Sequence, residues 1–149
     1  RILDVTLRPP FFDATLIRES VQSASVLKLS DDELAEVCTA CGVDSALGAE
    51  EALRALLERF DLDLVVMTRG AEGALLVSAA ETVDQPGIPA HVRDTVGAGD
   101  SFTAALVNGL LRRDSLGTIA GNACKIAAAV CEQLGAVPEL PGESETTHN

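Results

Sequence analysis

Positive charge is what this sequence has least of. Its 11 Lys and Arg face 23 Asp and Glu, a formal net charge of −12. That balance argues against sequence-independent binding to nucleic acid, which needs Lys and Arg clustered against phosphate. No apolar run reaches the roughly 18 residues that a membrane-spanning helix requires, so no membrane partner is expected. Arg1 heads no signal-peptide pattern. Internal repeats and interdomain linkers are lacking too. Metal-binding side chains are sparse. There are four cysteines, Cys38, Cys41, Cys124 and Cys131, and two histidines, His91 and His148. Cys38 and Cys41 form a C-x-x-C on a helical stretch that ends at Gly42, but zinc needs a second close pair or a His pair. The four thiols therefore read as small buried hydrophobes in a reduced, cytoplasmic setting.

What the sequence does have is apolar material for a core. Hydrophobic residues make up 47% of 149 residues, which fits one ordinary domain. Arg1–Leu7 alternates as a strand, and Arg8–Asp13 is a loop fixed by two prolines. Asp13 caps a helix through about Ser23. Ser25–Leu29 is a short strand, followed by the capping box Ser30-Asp-Asp-Glu33 and a helix to about Ala40. Gly48 opens a helix to Phe60 with Leu53, Leu56 and Leu57 as its buried stripe. Asp63–Thr68 reads as a buried parallel strand, Arg69–Gly73 as a tight turn, and Ala74–Ser78 as the returning strand of a hairpin. Thr82–Pro89 is loop or edge, and Ala90–Arg93 a short strand. Helices are expected from Ser101 to about Arg113 and from Leu116 to Glu132. This alternation gives an α/β class with a mostly parallel sheet. The chain opens inside a strand, so a fragment or a processed piece is expected.

Gly97-Ala-Gly-Asp100 joins a strand to a long helix. Its glycines let backbone approach a ligand closely. The free N–H groups at a helix start, with the positive end of the dipole behind them, suit an anion such as phosphate. A carboxylate there serves either as a helix cap or as a base that takes a proton from an attacking hydroxyl. The dinucleotide fingerprint G-x-G-x-x-G fails, because Phe102 stands where its third glycine belongs, and no P-loop string is present. A dinucleotide-binding oxidoreductase is disfavoured on that ground.

The full string Asp94-Thr-Val-Gly-Ala-Gly-Asp-Ser-Phe-Thr-Ala-Ala-Leu106 closely resembles the C-terminal signature of the ribokinase-like (PfkB) carbohydrate kinases. The resemblance implies that Gly97, Ala98 and Gly99 form an anion hole for the phosphoryl group in transfer and that Asp100 is the general base. Val66–Gly73 resembles the family's T-x-G-x-x-G turn beside the nucleotide phosphates, which assigns Thr68, Gly70 and Gly73; a hairpin turn that needs glycine is the alternative. Ser30–Glu33 stands in the place of the family's N-x-x-E, with Glu33 organising magnesium through water and Ser30 replacing the Asn; a plain capping box is also sufficient. Asp4-Val-Thr-Leu-Arg8 with Pro9 and Pro10 resembles the D-x-N-x-R-P segment of fructokinases and 2-keto-3-deoxygluconate kinases. Arg8 then reaches phosphate or a sugar acid, and Thr6 departs from the usual Asn. Arg8 also reads as a solvated charge. Asn122 lies where family members approach the adenine, and equally as neutral surface. Asp94, the Val96 carbonyl and Gly135 with its neighbours lie where some members hold a monovalent cation such as K⁺.

The resemblance runs from Asp4 to about Pro141 and matches the C-terminal half of a family protein. It implies a ribokinase-like doubly wound, mostly parallel sheet flanked by helices, C-terminal portion only, over residues 1–141, with 142–149 as a flexible tail. The implied activity is transfer of the γ-phosphoryl of ATP, with Mg²⁺, to a hydroxyl of a fructose-like sugar or a 2-keto-3-deoxy sugar acid. The alternative is a truncated nucleotide-binding module without catalysis. A homodimer is the expected assembly of the full-length protein.

Overall fold

The structure is a computed structural model and describes residues 1–133. A five-stranded mixed sheet runs in the order β1 (Ile2–Asp4), β2 (Val26–Ser30), β3 (Leu64–Thr68), β4 (Ala74–Ser78) and β5 (Thr82–Gln85). The first three strands are parallel, β4 runs antiparallel to β3, and β5 antiparallel to β4. Helices α1 (Ala14–Gln22), α2 (Asp31–Cys41) and α3 (Ala49–Arg59) precede β3, and α4 (Ala98–Arg112) and α5 (Leu116–Cys131) follow β5.

Alternation along the strands assigns the two faces. Leu27, Leu29, Val65, Met67, Leu75 and Val77 meet the buried stripes of α1, α2 and α3, including Ile17, Val37, Leu53 and Leu56. Val26, Leu64, Val66, Ala74 and Leu76 meet α4 and α5 through Phe102, Leu106, Ile119 and Ala123. The sheet is thus covered on both faces, as the doubly wound reading requires. Each fully buried Leu or Ile contributes about 1.5–3 kcal/mol. Helices α4 and α5 pack closely because Gly109 has no side chain; a Cβ there would stand 2.7 Å from Ile119 Cγ1.

Local signals explain most of the boundaries. Asp13 caps α1 by accepting from the Leu16 N–H at 2.8 Å. The capping box at Ser30 starts α2, and Gly42 ends it at φ +69°. Leu53, Leu56 and Leu57 are buried as the periodicity predicts.

Of the two alternatives for Thr82–Pro89, loop or edge, the structure has the edge strand, over Thr82–Gln85 and paired with β4. Three expectations are corrected. The first strand is confined to Ile2–Asp4, the stretch that pairs with β2. Residues 90–93 form no strand: the N–H groups of Arg93 and Asp94 both donate to Cys131 O at the end of α5, and the His91 N–H to Glu132 Oε1. Helix α4 starts at Ala98, inside the glycine turn, instead of at Ser101. The boundary at 141, the tail 142–149 and Gly135 lie outside the described residues. Among the described residues no helix is long and apolar enough to cross a membrane.

Candidate functional site

The C-terminal ends of parallel strands are where open α/β sheets gather their ligands. The parallel strands here deliver three of the motifs to that edge. The chain leaving β1 reaches Arg8 four residues on, β2 ends at Ser30 where α2 and Glu33 begin, and β3 ends at Thr68 ahead of the glycine turn. Ser30 and Thr68 stand side by side in the β2–β3 register, and Thr68 Oγ1 donates to Leu29 O at 3.4 Å.

Glu33 links two of these ends. Its Oε2 accepts from the Ser30 N–H and hydroxyl, each at 2.9 Å, and its Oε1 accepts from the Leu7 N–H at 2.9 Å. The carboxylate therefore ties the exit of β1 to the start of α2. Each oxygen offers two lone pairs, so three donors leave one acceptor position, on Oε1. That fits a water-mediated part in holding magnesium. Among the described residues no cluster of three or more His, Cys, Asp or Glu could hold a metal directly. Magnesium characteristically arrives on nucleotide phosphates and keeps its waters, which such a donor set suits.

The turn after β3 is a short 3-10 segment, Gly70–Glu72, with Gly70 at φ +54° and Gly73 at φ +95°. Here glycine is required by space as well as by dihedral. A Cβ on Gly73 would lie 2.0 Å from Gln85 O, and one on Gly87 only 1.8 Å from Ala71 O. The turn is thus locked onto the exit of β5 by two glycines, Gly73 against the backbone of 85–87 and Gly87 against that of Ala71 and Glu72. Arg69 adds a second tie, pairing with Asp84 and donating to Ala74 O and Gln85 O.

Gly97 is the N-cap of α4 at φ +83°, in the left-handed region, so Ala98, Gly99 and Asp100 are its first three residues. Asp100 is therefore not the cap. Its side chain is exposed and makes no hydrogen bond or ion pair among the described residues. Asp94 Oδ1 shapes the approach by accepting from the Val96 N–H at 3.0 Å. The Ala98 N–H donates to Thr95 O at 3.2 Å. Among the described residues the N–H groups of Gly97, Gly99 and Asp100 meet no protein acceptor. One side-chain bond ties this end of the helix to the sheet, Thr103 Oγ1 donating to Asp4 Oδ2, and Lys28 Nζ lies close beneath Gly99, where a Cβ would stand 3.7 Å from it. The glycine turn and the ends of β1 and β2 are brought together in this way.

Not every expected residue joins them. Arg8 is exposed and unpaired among the described residues, on the loop after β1. Asn122 is on the exposed face of α5, with no recorded tie to the glycine turn among the described residues. The cation position assigned to Asp94, Val96 and Gly135 falls partly outside the described residues. All four cysteines are free; Cys38, Cys41 and Cys124 are buried, and burial raises their thiol pKa values, that of Cys41 to about 11. A cavity of about 490 Å³ lined by Ile2, Ser25, Leu64, Leu110 and Leu116 lies at the opposite end of the sheet and takes no part in the arrangement.

Sequence reasoning missed Lys28, Arg69 and Gly87. The signal for Lys28 was a lone charge inside Val-Leu-Lys-Leu. Nothing short of the fold points to Gly87, because its constraint comes from Ala71, which is remote in sequence.

Residues 2–142 match the family model described as pfkB family carbohydrate kinase. The chain is 32% identical over 150 residues to an aminoimidazole riboside kinase of Salmonella typhimurium, covering 94% of this chain and 45% of that protein. The crystal structure of the aminoimidazole riboside kinase from Salmonella enterica, complexed with aminoimidazole riboside and an ATP analog, superposes with a TM-score of 0.72 at 31% identity over 91% of this chain and 46% of that one. A fructokinase of Escherichia coli is 29% identical over 94 residues, 63% of this chain and 29% of that protein. A ribokinase of Thermotoga maritima shares the fold, with a TM-score of 0.73 at 24% identity over 91% of this chain and 43% of that one. The chain spans less than half the length of these curated relatives.

Proposed function

Because the chain belongs to the pfkB family of carbohydrate kinases, we propose that it carries the phosphoryl-transfer part of an ATP-dependent kinase acting on a sugar hydroxyl. The observation that carries the reading is the open turn at the start of α4, where two glycine N–H groups and the Asp100 carboxylate in the same helical turn have no partner among the described residues. An anion hole needs donors fixed before the charge arrives. A base needs a carboxylate with no other partner within reach of the hydroxyl.

The step divides among this chain's residues. Asp100 takes the proton from the acceptor hydroxyl as that oxygen forms its bond to the γ-phosphorus. The bond from phosphorus to the β,γ-bridging oxygen breaks, and ADP leaves with that electron pair. The Gly97 and Gly99 N–H groups, backed by the positive end of α4, hold the charge on the moving phosphoryl group. Ala98 is not part of this donor set, because its N–H donates to Thr95 O. Thr68, Gly70 and Gly73 hold the donor nucleotide from the β3 edge, and Asn122 approaches its base. Bound magnesium supplies charge neutralisation on the nucleotide oxygens, and Glu33 keeps one acceptor position for its water. Arg8, free at the end of β1, meets the acceptor or its phosphoryl group. With −12 of net charge opposing a nucleotide, these local donors must dominate.

A fructose-like ketose is the first acceptor to try, on the strength of Arg8-Pro9-Pro10. A 2-keto-3-deoxy sugar acid is the second. A riboside is the third, the acceptor class in the name of the Salmonella relative. The test is ADP release by the protein as its gene encodes it, with ATP, magnesium and these acceptors, and with Asp100→Asn as control. Release that depends on one acceptor and is lost in the variant supports the reading. ATP binding with no release for any acceptor would replace it with a nucleotide-binding module.

A further inference from the structure

Lys28 is the one buried charged residue among the described residues, 7% exposed. A buried ammonium is costly unless paired, and an apolar pair would join two strands as well or better. Its placement therefore calls for a reason beyond cohesion of the sheet. Asp4 and Lys28 are register neighbours on β1 and β2. Lys28 Nζ lies 2.9 Å from Asp4 Oδ1 and 3.2 Å from Oδ2. Asp4 Oδ2 accepts from Thr103 Oγ1, one helical turn after Gly99. Thr103 has a single hydroxyl proton and a competing acceptor in Gly99 O at 3.0 Å; the charged carboxylate is the stronger of the two.

The pair has a direction. Its carboxylate faces the second turn of α4, and its ammonium faces the first, where a Cβ on Gly99 would lie 3.7 Å from Nζ. An ammonium has three donors, and Asp4 is its recorded acceptor among the described residues. Positive charge and at least one unused donor thus sit against the backbone of the turn whose glycine N–H groups are open. The field has the same sign as the helix end above it.

We propose that Lys28 is a positioning residue of the phosphoryl-transfer site. Held by Asp4, it fixes Gly99 and adds its charge to the attraction that the Gly97 and Gly99 N–H groups exert on an anion. This rests on the phosphoryl-transfer reading above and extends it to a residue of β2.

The experiment compares Lys28→Met and the double variant Asp4→Leu/Lys28→Met with the parent protein. It reads three quantities: the amide resonances of Gly97 and Gly99 during titration with inorganic phosphate, the melting temperature, and kcat against KM for ATP. Lys28→Met is expected to melt lower, since the part-buried Asp4 is left without its counter-charge. It is expected to bind phosphate about tenfold more weakly and to lose roughly 10²-fold in kcat with a smaller change in KM. The double variant is expected to regain the melting temperature and neither of the other two. Recovery of phosphate affinity and kcat along with stability would overturn the proposal in favour of a structural pair. So would unchanged phosphate affinity in both variants, or parent glycine amides that ignore phosphate. A parent whose amides respond, variants that lose the response, and no acceptor phosphorylated would leave Lys28 in place and remove the kinase reading.

Discussion

Two glycines three residues apart in the turn after β3 make a controlled pair. Both have positive φ, +54° at Gly70 and +95° at Gly73. A Cβ on Gly70 meets nothing within 4 Å, whereas one on Gly73 meets Gln85 O at 2.0 Å and Gly87 N at 2.6 Å. Gly70→Ala should therefore cost only the backbone penalty of the left-handed region, about 1–2 kcal/mol. Gly73→Ala carries a comparable or larger dihedral penalty, roughly 1–3 kcal/mol. It also adds an overlap with backbone that no side-chain rotation relieves, roughly another 1–3 kcal/mol. The midpoints of these ranges differ by about 2.5 kcal/mol. With a urea m-value of about 2 kcal/mol/M, that gap is on the order of 1 M in the unfolding midpoint. The assay is urea unfolding of the two variants and the parent, followed by KM for ATP on each folded variant. Gly73→Ala should raise KM more, because the clash pushes the turn off the exit of β5. Equal midpoints for the two variants would refute the reasoning, since dihedral strain alone would then account for both.

Asp100→Asn should lower turnover by roughly 10²–10⁴-fold while leaving unfolding within about ±0.5 kcal/mol, because its carboxylate makes no bond among the described residues; parallel activity and denaturation measurements check both halves. Glu33→Ala removes the acceptor for the part-buried N–H groups of Leu7 and Ser30, and calorimetry should register a loss of about 0.5–1.5 kcal/mol for each bond. Cys41, pushed from 9.0 to about 11 mainly by burial and next by neighbouring Cys38, should resist alkylation at pH 8 in the folded state and react once urea unfolds the chain. Its raised value also has a sign for stability: the unfolded chain loses the thiol proton first, so the stabilisation is complete below about pH 9 and declines toward pH 11. Unfolding midpoints that stay level across that window in the parent, and in Cys41→Ala, would contradict it.

Elements governed by local chemistry were legible in the sequence. Asp13, the Ser30–Glu33 box, Gly42 and the Leu53–Leu57 stripe each act within a turn or two of themselves, and each fixes the boundary expected of it. Where distant groups decide, sequence reading went astray. Ala90–Arg93 alternates like a strand, yet its backbone donors are taken by Cys131 and Glu132, some forty residues away. The glycines of Gly97–Gly99 lower helix propensity, and α4 still starts there because Thr103 and Asp4 anchor its first turns to the sheet. The turn glycines were legible as glycines; that Gly73 needs Gly87 opposite it was not, since the match appears only when β5 lies beside the turn.

The two faces of the sheet explain why polar side chains collect under the start of α4. On the face toward α1, α2 and α3, neighbouring positions stay apolar along the whole length, from Leu3, Leu27 and Val65 to Leu29 and Met67. The face toward α4 and α5 begins the same way with Ile2, Val26 and Leu64. One register step on it holds Asp4 and Lys28 beside Val66, and one step further Ser30 and Thr68. Polarity therefore rises along a single face, toward a single edge. A helix whose N-terminus lies over that edge meets side chains that can bond to it, while its later residues, Phe102 and Leu106, meet the apolar part. The sequence of α4 is graded in the same direction, from Gly-Ala-Gly-Asp to Leu-Val-Asn-Gly-Leu-Leu. Reversing the helix would set Leu110 over the Asp4–Lys28 pair, take the Thr103 hydroxyl away from Asp4 and cover the charged pair with alkyl groups. The gradient shared by sheet and helix fixes which end of α4 faces the strand ends, and with it where the open N–H groups and Asp100 stand.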